Sequence, residues 1–252
     1  MEVVYEKEPE SAPVDPALVA SIDIGVNTVA AITSNKPGFV PLLVNGRPVK
    51  SVNQGYNKRR VQLQSGLREG VFSPRHLDEI TDHRTRTIAY YLHTASRAII
   101  DLLVKEGIGT LVIGKNVGWK QEANMGKKNN QLFVFIPHAR FIDMLTYKAE
   151  LVGIRVILTE ESYTSKCSFL DQEPIGKYDT YAGQRVKRGL FRSASGVLLH
   201  ADVNGSYNIL RKAIPDAFPN GSVGCVLRPV PLQLPDRHQD KRMQHVRRKA
   251  SM

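Results

Sequence analysis

Cysteine is nearly absent from this chain of 252 residues: Cys167 and Cys225 are the only two, and no C-x-x-C pair occurs. That excludes a disulfide framework as the organising principle, and with it a four-cysteine zinc site. Long apolar runs are missing too. No stretch approaches the roughly 20 residues needed to span a bilayer. The N-terminus is acidic, with five acids and one Lys in residues 1–15, and lacks the basic-then-apolar order of a signal peptide. A cytoplasmic location is expected. Internal repeats are absent.

Acids are scarce in particular places. Residues 47–68 hold Arg47, Lys50, Lys58, Arg59, Arg60 and Arg68 with no Asp or Glu, and residues 177–192 hold five basic groups against Asp179. The net charge is +11. Such blocks suit a polyanion, because each phosphate contact releases counterions. Tyr56-Asn57-Lys58-Arg59-Arg60 places an aromatic beside three cations, as a surface tracking a nucleic-acid backbone does; a solvated helix face has the same composition. Lys187, Arg188 and Arg192 invite the same two readings. The single Trp, Trp119, precedes Lys120 in a polar Gly- and Asn-rich stretch from 114 to 130. Trp119 and Lys120 can stack on and bond a displaced strand, or the Trp can fold back onto the domain.

Hydrophobic patterning gives a mixed order of elements. Residues 19–24 and 27–33 read as a hairpin and 40–44 as a third strand, closed by an Asn45-Gly46 turn. A basic helix spans about 52–67. Ser73-Pro74 opens a long helix, in which Leu77, Ile80, Ile88, Leu92, Ala95, Ile99 and Leu103 recur at helical spacing to Lys105, with a polar gap at Arg84. Thr110–Ile113 is a buried strand, 141–152 a helix, and Ile154–Leu158 a strand. Residues 168–200 read as irregular, and Tyr207–Ala213 as a short helix. Prolines at 215, 219, 229, 231 and 235 break any packing beyond Ile214, and the last residues are basic, so 214–252 is expected to be a mostly disordered tail. Residues 1–18 read as a short strand and linker, and 19–213 as one α/β domain.

Two carboxylates stand out in this order. Asp23 lies in the apolar strand Ile22-Asp23-Ile24-Gly25. Asp202 lies at the mouth of a helix, in Ala201-Asp202-Val203-Asn204-Gly205-Ser206-Tyr207-Asn208-Ile209. A carboxylate in a buried strand is costly unless something neutralises it. A divalent cation shared by both would do so. An Asx-turn acid beside Gly25 and a plain helix N-cap are the simpler readings of Asp23 and Asp202. Asn204 and Asn208 can bond the ligands or act as caps. His93, among apolar neighbours on the long helix, reads as a core or groove histidine.

These segments resemble the first and third catalytic segments of the RuvC-like nuclease domain, the latter in its TnpB form. Glu160-Glu161-Ser162-Tyr163-Thr164-Ser165-Lys166-Cys167-Ser168 resembles the TnpB stretch that precedes a zinc ribbon. The resemblance implies an RNase H-like (RuvC-like) mixed sheet flanked by helices, with a long helical insertion and a disordered basic tail. It implies two-metal hydrolysis of DNA with Mg²⁺ or Mn²⁺, which needs oxygen ligands holding two hard cations about 4 Å apart. In most TnpB proteins the middle acid ends a strand; here the matching position is Gly114, which offers no ligand. The replacement is expected from the end of the adjacent strand: Glu161 first, Glu160 as second choice. The expected ligands are therefore Asp23, Glu161 and Asp202. Zinc is not expected, since Cys167 stands where the first zinc ligand would be and has no companions. DNA, a guide RNA, and a full-length TnpB or the element's transposase are the implied partners. Few residues precede Asp23, so the chain resembles a truncated C-terminal half without full RNA-guided targeting. An inactive nucleic-acid-binding regulator is the alternative reading.

Overall fold

The computed structural model describes residues 11–68, 74–115 and 136–235. Strands β1 (Asp15–Ile24), β2 (Thr28–Ser34) and β3 (Leu42–Asn45) form an antiparallel meander. Helices α1 (Arg47–Arg68) and α2 (Pro74–Lys105) follow. Strands β4 (Ile108–Lys115) and β5 (Arg155–Glu160) then add in parallel on the other side of β1, with α3 (His138–Glu150) between them. A second, three-stranded sheet comprises β6 (Gln184–Lys187), β7 (Leu190–Arg192) and β8 (Leu198–His200). Helix α4 (Ala201–Ala213), a 3₁₀ turn at Pro215–Ala217 and β9 (Val230–Pro231) complete the described chain. The large sheet runs β5-β4-β1-β2-β3-β9. No described helix is long and apolar enough to cross a membrane.

The two-residue period of β1 sorts its side chains onto two faces. Ala20, Ile22 and Ile24 join the main core with Leu92, Ala95 and Ile99 of α2 and Phe141 and Leu145 of α3. Val19 packs on the opposite face with Val112 and with Ile209 and Leu210 of α4. Ser21 shares that second face. Its hydroxyl donates to Ser206 O at 2.7 Å and lies 2.9 Å from Thr33 Oγ1, while Ser206 Oγ donates back to Ser21 O at 3.1 Å. Small hydroxyl residues on both sides let α4 settle close to β1 and β2 with every buried polar group bonded. Asp23, two residues beyond Ser21, is thereby turned toward α4.

Four features differ from the sequence reading. β1 starts at Asp15, and Ala12 N already donates to Val152 O, so the linker is tied down well before residue 19. The helix expected from about residue 52 starts at Arg47, directly after the Asn45-Gly46 turn: Asn45 Oδ1 accepts from Arg47 N at 3.0 Å, and Gly46 N donates to Asn27 O at 2.7 Å. Residues 168–183 are irregular as expected, but 184–200 form three short strands. Strands of three or four residues are too short to show a period, and carboxylates fasten the module instead: Glu173 accepts from Ser168 N and Ala182 N, and Asp171 from Ala194 N. Residues 214–235 are packed, with Val230 N donating to Pro41 O and Leu232 N to Leu43 O. Proline is tolerated on an edge strand, so the prolines end α4 without freeing the chain. Residues 236–252 lie outside the described residues, as does the short N-terminal strand expected near Val3–Tyr5.

Replacing Ser206 by Ala should destabilise the fold by about 1–3 kcal/mol, because Ser21 and Thr33 each lose a partner in a buried site. Chemical denaturation measures this. A loss no larger than that of an exposed Ser→Ala control would mean the hydroxyl cluster is not what seats α4.

Candidate functional site

Asp23, Glu161 and Asp202 reach the site from three elements. Asp23 is next to last in β1, opposite Ala31. Glu161 is the residue after β5, and Asp202 lies in the first turn of α4. The Asp23 carboxyl is pushed well above the usual carboxylate range, first by burial, then by the charges of Glu161 and Asp202, with Arg185 opposing. Asp23 thus feels the other two acids across the α4 face of the sheet.

Two glycines make this arrangement sterically possible. A Cβ on Gly205 would lie 2.5 Å from Asp23 Oδ2. Only a residue without a side chain lets α4 pass over that carboxylate. A Cβ on Gly114 would lie 2.6 Å from Ile209 Cδ1 and 2.9 Å from Glu161 Oε2. The buried Glu161 Oε2 therefore occupies the space that a side chain at position 114 would need. The parallel register pairs Gly114 with Thr159 and Lys115 with Glu160, which brings Glu161 to the same sheet edge as Gly114.

Polar residues of α4 hold the segment that carries Glu161. Asn208 Nδ2 donates to Thr164 O at 2.9 Å and Cys167 O at 2.7 Å; Asn204 Nδ2 donates to Cys167 O and its Oδ1 accepts from Phe169 N. The hydrogen bonds shown for these two asparagines go to backbone and to Arg211, so they position the Glu161 segment and do not cap the helix. Thr164 folds back on the carbonyl of Glu161 through both its N–H and its hydroxyl, at 3.2 and 2.7 Å. Glu160, by contrast, is exposed and pairs with Lys212 at 3.0 Å, on the outer side of α4.

Asp202 is not the N-cap; His200 is, its Nδ1 accepting from Asp202 N at 3.3 Å. An acid in the first helical turn is favoured by the helix dipole. Its Oδ1 lies 3.8 Å from the Arg185 guanidinium. The sequence reading did not single out Arg185. It belongs to the basic block 177–192, but only its cross-strand pairing with Phe191, whose side chain packs inward with Leu199, separates it from its neighbours. Lys187 and Arg188 are exposed at the adjoining turn.

Lys58 and Arg59 are exposed on α1, and Arg60 is half-buried. Trp119 and Lys120 lie outside the described residues. His93 is exposed on α2 and not part of the core; partial desolvation and then the nearby Lys148 and Arg140 charges hold its pKa below the ordinary value. Cys167 is buried, its thiol pushed up by burial, with Sγ donating to Gly176 O.

An all-carboxylate donor set suits a hard divalent cation. Among the described residues, however, no three His, Cys, Asp or Glu side chains are drawn together tightly enough to form a ready metal cluster. Like-charge repulsion acts between the three acids, and Arg185 draws on one of them. The residues fit such an ion by chemistry and by convergence, with closure of their side chains still required.

Gly205→Ala should destabilise the protein by about 1–3 kcal/mol through overpacking on Asp23. In an Asp23→Ala background the same change should be markedly cheaper, since the clashing atom is gone. Strict additivity in a denaturation cycle would refute the contact. A second outcome concerns pH. The folded chain holds the Asp23 proton more tightly than the unfolded chain, so metal-free stability falls as pH rises from the ordinary carboxylate range through the raised value. In chelator at neutral pH, Asp23→Asn should melt higher than the parent, with the gap closing as pH falls. Equal melting at neutral pH would mean that burial and the two acids impose no strain on Asp23.

Residues 2–120 match the family described as OrfB_IS605, "Probable transposase", and residues 138–209 match "Cas12f1-like, TNB domain". The chain is 27% identical over 207 residues to the "TnpB-like protein ORF457" of Acidianus two-tailed virus, covering 78% of this chain and 42% of that protein. It is 26% identical over 231 residues to the "CRISPR-associated endodeoxyribonuclease Cas12f1" of Sulfoacidibacillus thermotolerans, covering 86% and 50%. The chain thus spans about half the length of the curated relatives it matches. Among solved structures, a Cas12f1–sgRNA–target DNA complex superposes with a TM-score of 0.60 at 20% identity, over 77% of this chain and 50% of that one. A CRISPR-Cas12f ternary complex gives 0.59 at 18%, over 82% and 40%. Likeness at that identity bears on the fold, which is the RNase H-like α/β arrangement. Asp23 falls within the first matched region and Glu161 and Asp202 within the second, and across the two regions the chain is similar to TnpB (OrfB) proteins.

Proposed function

We propose that this chain is a RuvC-type, metal-dependent DNA endonuclease domain, with Asp23, Glu161 and Asp202 as ligands for Mg²⁺ or Mn²⁺. The observation that carries the reading is the convergence of Glu161 and Asp202 on a half-buried Asp23, under two glycines whose missing side chains leave room for the carboxylates. Three acids in one partly desolvated place destabilise each other unless a cation joins them. Bound divalent ions supply an activated water and charge stabilisation at the scissile phosphate. The chain's own groups do the rest. Asp23 is anchored in the central strand, Asp202 is carried by the start of α4, and Glu161 takes the place a side chain at 114 would fill. Arg185, half-exposed and 3.8 Å from Asp202, suits a phosphate oxygen of the substrate strand.

The named relatives include an endodeoxyribonuclease, and the solved neighbours include a complex with guide RNA and target DNA. We propose DNA as the substrate and a guide RNA as a partner, with Lys58, Arg59, Arg60, Lys187 and Arg188 tracking phosphates. Guided recognition needs a heteroduplex channel and a reader of a flanking motif, and we propose a full-length TnpB or the element's transposase as a further partner. The 3.8 Å approach of Arg185 to Asp202 and the unclosed carboxylates favour a second reading, a nucleic-acid-binding accessory without catalysis.

Nicking of labelled single-stranded DNA in Mn²⁺ separates the two. Asp23→Asn, Glu161→Gln and Asp202→Asn should each abolish it, while Glu160→Gln leaves it near the parent rate. Binding without any metal-dependent nicking would establish the accessory reading. Nicking that survives Glu161→Gln and dies with Glu160→Gln would reverse the choice of middle acid.

A further inference from the structure

We infer that Tyr163 is a base-stacking residue, which holds one unpaired nucleobase of the substrate strand beside the three acids. The inference rests on the nucleic-acid part of the reading above, in which a DNA strand lies at Asp23, Glu161 and Asp202. It adds that the strand is single at that point.

The chain turns tightly from Glu161 to Thr164, with Thr164 N donating to Glu161 O at 3.2 Å. Tyr163 is the third residue of that turn and has a φ of 67°. Left-handed backbone at the third position favours Gly or Asn, because a Cβ there crowds the next carbonyl. A bulky aromatic is among the residues least suited to it. The surroundings leave Tyr163 no way to relax. The Thr164 hydroxyl also donates to Glu161 O, at 2.7 Å. Lys166 N and Cys167 N donate to Tyr163 O at 3.0 and 3.1 Å. From α4, Asn208 Nδ2 holds the carbonyls of Thr164 and Cys167. Strain that the rest of the fold maintains in this way clusters at ligand sites.

The side chain is a second, independent observation. Tyr163 is 37% exposed. It belongs to none of the apolar clusters formed by the described residues. Its hydroxyl has no hydrogen-bond partner among them. Gln172, the other described non-glycine residue at positive φ, differs: its Nε2 donates to Phe169 O at 2.9 Å, which ties the side chain into its own turn. No such contact offsets the strain at Tyr163. A flat ring fixed on a strained turn and open to solvent suits a partner from outside the chain.

The setting identifies that partner. Glu161 opens the same turn, so the ring stands beside the acids. Glu160 is engaged by Lys212, whose Nζ also donates to Ser162 O at 3.3 Å. Lys166, three residues after Tyr163, is exposed; its ammonium lies 5.7 Å from the centre of the Tyr181 ring and makes no ion pair with a described residue. A ring and a cation on one turn complement the base and the phosphate of one nucleotide. Stacking uses the face of a base and not its edge, so it takes any base that is unpaired.

The test compares binding of labelled oligodeoxythymidine with binding of an abasic strand of equal length, in Ca²⁺ and across a salt series. Tyr163→Gly should weaken binding of the base-bearing strand about fivefold or more, the low end for one stacked base. Binding of the abasic strand should not change, and neither should the slope of log affinity against log salt, since no phosphate contact is lost. The same variant should melt about 2 °C higher, because glycine takes the turn without strain. Tyr163→Phe, which keeps the ring, should bind both strands as the parent does. A purely structural role predicts the opposite pattern: Tyr163→Gly melts lower and binds both strands as before. That result, or an equal loss on both strands, would overturn the stacking role while parent nicking in Mn²⁺ keeps the nuclease reading standing. A base-specific loss in a chain that never nicks would overturn the nuclease reading and keep the stacking role. A parent that binds neither strand would overturn both.

Discussion

The close approach of α4 to β1 is the constraint on which the rest of the site depends. Gly205 passes over Asp23 at a distance that no Cβ permits. One residue later, Ser206 exchanges hydrogen bonds with Ser21 and Thr33. The helix cannot tilt away without leaving those hydroxyls unpaired. It cannot slide along its axis without driving a side chain into Asp23. That register also sets Asp202 at the start of the helix, and it sets Asn204 and Asn208 at the right height to hold the carbonyls of Thr164 and Cys167. Docking one helix thereby positions all three carboxylates.

The proposed middle acid, Glu161, comes from a strand next to the one expected to carry it. β4 and β5 run parallel and in register, so the residues just beyond their ends lie side by side. A carboxylate from the end of β5 reaches the place that a side chain on Gly114 would occupy. The exchange requires a small residue at 114 and a turn after β5 that brings the chain back, and Thr164 closes that turn on the carbonyl of Glu161. Glu160 is held away from that place by Lys212, on the outer side of α4.

Charge is distributed in the same sense. The chain is strongly basic, yet three half-buried acids lie where the sheet edge, α4 and the small sheet meet. Arg185 comes from the basic hairpin of that small sheet and ends beside Asp202. The small sheet itself is stitched by Glu173 and Asp171 to backbone N–H groups. Short carboxylate-to-backbone bonds of this kind fix strand ends that are too short to hold by pairing alone.

Much of the architecture was legible without coordinates. The period-two run around Ile22 and the period-3.6 stripe from Leu77 to Leu103 record which faces are buried, and burial follows locally from spacing. The isolated acids Asp23 and Asp202 announced themselves by being costly where they stand. Three things escaped. The strands of 184–200 are shorter than any detectable period, the prolines after Ile214 permit edge pairing as readily as disorder, and α1 starts directly after Asn45-Gly46, earlier than its pattern shows. Arg185 escaped for a different reason. Its sequence neighbours are equally basic, and only the cross-strand partner of each residue decides which one turns inward. The same holds for Gly205 and Gly114. Composition marks them as glycines, but what their missing side chains make room for is a carboxylate far away in the chain. Local patterning determines which faces are buried, because burial leaves its period in the sequence. The meeting of Asp23, Glu161 and Asp202 was decided by tertiary structure, because distances between remote residues depend on how whole elements dock.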